Sequence, residues 1–216
     1  MAQDGINAWA TFRYALSYPD EEHLARFRAA FDDVPETLAD LRVLYMRLFE
    51  AGAPHPVCPL LESYYVANRP PGEIVLENKL FYQHFGLRLD SKAAPDHLLT
   101  QLEFLGWLEH CREAGNADPE SLDRGESDFR ARHLTHWLRR ATELADNDDG
   151  GCYAAILREL GEFVATLKRN DLPAPGRLDR APDASPPDPL LEQALQRLSE
   201  EAEFGLQGHT SRSGRG

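Results

Sequence analysis

Ala94-Pro95-Asp96-His97-Leu98-Leu99-Thr100-Gln101-Leu102-Glu103-Phe104-Leu105-Gly106-Trp107-Leu108 decides what kind of fold this chain can adopt. Proline suits the first position of a helix, where its missing N–H would have no partner anyway. Asp96 then falls in the first turn, where unpaired backbone N–H groups favour a negative charge. Leu98, Leu102 and Leu105 recur at helical spacing, and Leu99, Phe104, Trp107 and Leu108 widen the apolar stripe. A stripe that broad belongs to a helix packed on several sides. Asp96 and His97 are therefore expected at the mouth of a central helix.

The rest of the chain reads as more helices around this one. Ile6 to Tyr18 carries Trp9, Phe12 and Leu16 on one side and stops at Pro19. Asp20-Glu21-Glu22 starts a second helix with its acids first, and Pro35-Glu36-Thr37 opens a third that Gly52 closes. Pro54, Pro56 and Pro59 make an extended connection into a short apolar segment, Leu60 to Val66. Glu73 to Phe85 is a further helix ended by Gly86. Gly115 to Pro119 breaks the chain, Ser127-Asp128 caps a helix through Leu144, and Cys152 to Leu167 forms the last strong one. From 172 to 189 prolines dominate, and such a segment buries too little apolar surface to offset its ordering entropy. Leu191, Leu195 and Leu198 suit one more amphipathic helix over 190–204. The fold class is all-α. It is a helical bundle of about eight or nine helices over 1–171, followed by a Pro-rich, partly disordered tail over 172–216.

A net charge of −13, from 36 acidic against 23 basic residues, argues against nucleic acid, whose phosphates require Lys and Arg. It favours a cationic partner and speeds the encounter with one. No stretch reaches the ~20 apolar residues that a membrane span needs, and no secretory signal is visible. Cys58, Cys111 and Cys152 are odd in number and widely spaced, which suits a reducing cytoplasm better than a disulfide scaffold.

Two readings of Asp96 and His97 remain open from the residues alone. Asp96 stabilises the helix start while His97 bonds a nearby carbonyl, or Asp96 receives a guanidinium from a bound peptide, which a fixed carboxylate can pair bidentately. His133 and His136 lie three apart and would share a helix face. With Asp96 and His97 they sketch a small metal-dependent hydrolase, but the signatures of catalytic zinc are missing and Arg132, Arg139 and Arg140 crowd the pair. No nucleophile elbow, P-loop or dinucleotide fingerprint is present, so neither a cofactor nor a catalytic residue is expected. Tyr64, Tyr65, Phe81, Tyr82 and Trp107 suit either the core or an apolar peptide groove.

Pro95-Asp96-His97-Leu98, followed by Leu102-Glu103-Phe104-Leu105 on the same helix, resembles the TorD/DmsD/NarJ group of chaperones that mature molybdenum-containing redox enzymes. Leu48-Phe49, the loop from Pro54 to Pro59, and Ser63-Tyr64-Tyr65 resemble the same group at a second place. Ala94 departs from the acid often found there, which points to the NarJ-like side. The resemblance implies a non-enzymatic cytoplasmic chaperone. It would bind the apo catalytic subunit of a dimethyl-sulfoxide-reductase-type enzyme, or its arginine-bearing signal peptide, and hold it for cofactor insertion. Asp96 and His97 would lie at the peptide site, with Tyr64 and Glu103 in support. A permanent structural subunit of a redox complex is the alternative.

Overall fold

A computed structural model describes residues 7–52, 55–90, 92–115 and 117–167. Among these the regular structure is helical: α1 (Ala8–Ala15), α2 (Glu21–Ala30), α3 (Leu38–Tyr45), which runs on as a π-turn over Met46–Glu50, α4 (Glu62–Tyr65), α5 (Pro71–His84), α6 (Leu98–Ala114), α7 (Pro119–His133), α8 (Thr135–Asn147) and α9 (Gly151–Thr166). The all-α expectation holds. The expectations for 172–216, the helix at 190–204 included, lie outside the described residues.

Local chemistry explains the helix starts. The Asp20 carboxylate accepts from the N–H groups of Glu22 and His23, while the His23 side chain returns to the Asp20 backbone, a reciprocal capping box. Thr37 caps α3 through the N–H of Asp40. Pro71 and Pro119 stand in the first turns of α5 and α7, where a missing N–H is harmless. Gly115 adopts a left-handed φ of 65° and closes α6, a conformation that costs glycine little.

Helix α6 runs at the centre, packed against α1 and α7, while α8 packs on α7 and α9. Leu98, Leu102, Phe104, Leu105 and Leu108 are all buried. Their neighbours include an aromatic cluster in which Phe129 of α7 lies 4.8 Å from Phe104 and 5.3 Å from Phe81, centroid to centroid. A second cluster surrounds Tyr153 of α9 with Phe27, Tyr45 and Phe49 at 5.4–5.7 Å. No helix among the described residues is long and apolar enough to cross a membrane.

Two boundaries differ from the sequence reading. The central helix begins at Leu98, not at Pro95, with His97 as its N-cap. The cause is tertiary. Leu98 N–H donates to the Leu60 carbonyl at 2.8 Å and Glu62 N–H to the Asp96 carbonyl at 3.0 Å. This short antiparallel bridge between Leu61 and His97 keeps residue 97 extended. The segment read as one helix from Ser127 to Leu144 is two. α7 starts eight residues earlier at Pro119, capped by Asp118, and breaks at Leu134, whose φ of −121° and ψ of −57° depart from helical values. Ser127 lies inside α7 and is buried.

Candidate functional site

Helix α4 is a single turn, and an isolated turn is not stable in water. Two neighbours hold it. On one side, Asp96 Oδ2 accepts from the Ser63 N–H at 3.2 Å, which satisfies one of the turn's unpaired donors. On the other, Glu62 enters a buried polar network. Its Oε2 accepts from Asn78 Nδ2 of α5 at 2.9 Å and from Gln101 Nε2 of α6 at 2.8 Å. The Nδ1 of His133 lies 3.1 Å from both carboxylate oxygens, which assigns the proton to that nitrogen. Gln101 also donates to Asn78 Oδ1 at 3.1 Å. Tyr82, beside Asn78, donates its hydroxyl to the Pro95 carbonyl at 2.7 Å. The network thus joins α4, α5, α6 and α7 to the loop that carries Asp96 and His97. Arg69 and Arg132 sit at its edge on Glu77, at 2.6 and 3.4 Å.

The outer face of α4 is aromatic. Tyr64 is 41% exposed; its hydroxyl meets His55 Nδ1 at 3.0 Å. Ring contacts then run inward from His55 through Tyr64 and Tyr65 to Trp137 of α8, where Tyr65 lies stacked at 5.2 Å.

Asp96, His97 and the helix carrying Tyr64 are therefore brought together, but not as the sequence suggested. Asp96 is only 3% exposed, and its carboxylate turns inward to Ser63 rather than standing open at a mouth. His97 caps α6 by accepting the Leu99 N–H on Nδ1 at 3.2 Å. Glu103 lies elsewhere, on the exposed side of α6, paired with Arg13 of α1 at 3.3 Å. His133 and His136 stand on different helices, α7 and α8, yet both reach Glu62, His136 Nε2 at 3.7 Å. Sequence reasoning misses Glu62, Asn78 and Gln101, because lone polar residues within apolar stretches carry no periodic signal. The described residues hold no group of three or more His, Cys, Asp or Glu placed for a metal ion, and Asp96 is engaged away from His133. A separate cleft of about 550 Å³ lies between the end of α5 and residues 86–89. Lys79 and Arg88 are among its lining residues, which makes it a poor receiver of arginine.

Burial holds the His97 imidazole below its ordinary range, against the opposing pull of Asp96. As pH falls through about 6.5 the unfolded chain takes up this proton first, so stability falls with it. Protonation also turns the Nδ1 acceptor into a donor and breaks the cap. Urea midpoints are expected to drop between about pH 7.5 and pH 5.5. His97→Asn, which caps without titrating, is expected to make that drop shallower. Superimposable pH curves for the two proteins would contradict this role.

Residues 14–143 match the model of a family described as the nitrate reductase delta subunit, a span that includes Glu62, Asp96, His97, His133 and His136. The chain belongs to that family. Its delta-subunit relatives include the selenate reductase assembly chaperone protein of Thauera selenatis, 36% identical over 161 residues, 69% of this chain and 80% of the relative. The chlorate reductase assembly chaperone protein of Ideonella dechloratans is 33% identical over 160 residues, 70% of this chain and 81% of the relative. The fold of this chain is shared with a crystal structure of an Archaeoglobus fulgidus protein named for redox enzyme maturation. The TM-score is 0.52 at 22% identity, over 76% of this chain and 97% of that one.

Proposed function

We propose that this delta-subunit family member is an assembly chaperone, not a catalyst, for the catalytic subunit of a molybdenum-containing oxidoreductase. It binds that subunit in the cytoplasm before its cofactor is inserted, through an arginine-bearing N-terminal segment, and releases it afterwards. The single observation behind this reading is the kinship with relatives named as assembly chaperones of selenate and chlorate reductases. The surface around α4 supports it. Tyr64 is exposed there beside His55, a setting in which an aromatic face can receive a cation or an apolar side chain. Asp96 and His97 act indirectly, by holding α4 and the start of α6 in place. Glu103 has no part in this surface.

The family's description as a subunit favours one second reading, a permanent component of the finished enzyme. Affinity capture of the tagged chain from its native cells separates the two. The expected catch is the catalytic subunit without molybdenum, and Tyr64→Ala is expected to reduce it severalfold at unchanged helical content. Co-purification at fixed stoichiometry with the molybdenum-loaded enzyme would make the chain a permanent component instead.

A further inference from the structure

On the reading that this chain binds an arginine-bearing client segment, we infer that Glu62, rather than Asp96, is the carboxylate that takes the client's guanidinium, with the ring of His136 standing in its path. The two oxygens of Glu62 are unequally served. Oε2 accepts from both Asn78 and Gln101, at 2.9 and 2.8 Å. Among the described residues, Oε1 has only its share of the one N–H on His133 Nδ1, at 3.1 Å. Its remaining neighbour, His136 Nε2, stands at 3.7 Å, beyond hydrogen-bond distance. The Glu62 side chain is 1% exposed and that of His136 is 41% exposed. A recessed carboxylate oxygen is thus aimed at a ring that reaches the surface.

The charges around it point the same way. Arg69 and Arg132, at the edge of the network, are spent on Glu77, and Arg132 also pairs with Asp128 at 2.8 Å. His133 is shared between acids, with Nδ1 on Glu62 and Nε2 4.0 Å from Glu77. His136 is held below the ordinary imidazole range, first by burial and further by His133 and Arg69, against the pull of Glu62 and Glu77. At neutral pH it brings little positive charge to Oε1. A buried carboxylate without a permanent cation is costly, and an arriving cation relieves that cost. Arginine suits the position, because its long stem reaches a recessed oxygen and its planar fork presents several N–H groups while stacking on a ring. Asp96 offers no such opening, since its carboxylate caps Ser63 in a buried loop.

Calorimetric titration of the full-length chain tests this, using a synthetic peptide with consecutive arginines followed by an apolar run, and a twin with glutamines in place of the arginines. Wild type is expected to prefer the arginine peptide by about tenfold to a hundredfold. Glu62→Gln is expected to erase most of that preference. His136→Arg changes a half-exposed position and so keeps the fold. It is expected to supply its own guanidinium to Oε1, lowering affinity for the arginine peptide while leaving the glutamine twin unaffected. Should Glu62→Gln fail to fold, His136→Arg decides alone. Full retention of the arginine preference in the folded variants would overturn the assignment to Glu62 and leave the chaperone reading standing. Equal binding of both peptides by wild type would instead overturn arginine recognition, and this inference with it.

Discussion

His133→Ala is expected to destabilise the protein by about 3–5 kcal/mol, from leaving the buried Glu62 carboxylate without that donor and from the lost packing of the ring. His133 is fully buried at the end of α7, and its Nδ1–H lies between the two oxygens of Glu62 at 3.1 Å. Alanine removes that donor from a carboxylate whose side chain is only 1% exposed. It also removes ring contacts with Phe129 at 5.0 Å and Phe81 at 5.4 Å. Urea unfolding followed by circular dichroism measures the loss. The double variant with Glu62→Gln should lose less than the sum of the two single changes, because the second change removes the stranded charge. A loss under about 1 kcal/mol would show that this pair does not hold the fold.

Trp137→Ala is expected to cost a similar amount, about 3–5 kcal/mol, by leaving a large cavity in the core. The side chain is 1% exposed. Its Nε1–H donates to the His133 carbonyl at 2.6 Å, across the break between α7 and α8, and its ring backs Tyr65. Both supports fail together in the alanine variant. Trp137→Phe keeps most of the packing but loses the hydrogen bond, so it should recover more than half of the stability. Thermal unfolding of the three proteins is the check; equal melting temperatures for the alanine and phenylalanine variants would assign the effect to the hydrogen bond and not to the cavity. Because Tyr65 adjoins Tyr64, the proposed function adds the expectation that the alanine variant binds client peptide less tightly at temperatures where it remains folded.

How far the sequence could be read follows from the range of each interaction. The apolar stripe from Leu98 to Leu108 is a local pattern, and all five of its strongest positions are buried. The caps at Asp20 and Thr37 are local too. The start of α6 was misplaced because a partner some 35 residues away, the Leu60–Glu62 segment, sets it. Asp118-Pro119-Glu120 carries a complete start signal, but its proline serves equally well as the end of the Gly115–Pro119 break. His133 and His136 read as neighbours on one helix, but they stand on two and meet through Glu62, contributed by a third element. No spacing rule announces a carboxylate, two amides and two imidazoles gathered from five helices. The Asp96-His97 pair is legible as a motif, whereas its physical tasks, Asp96 pinning one short turn and His97 capping α6, depend on contacts across the fold.

That short turn has a consequence for timing. With four residues it cannot persist until Asp96, Asn78, Gln101 and His133 have converged on it, and His133 lies 71 positions beyond Glu62. During synthesis, most of the chain must leave the ribosome before the surface around Tyr64 takes shape. On the proposed function, client capture would therefore be confined to copies that have finished folding.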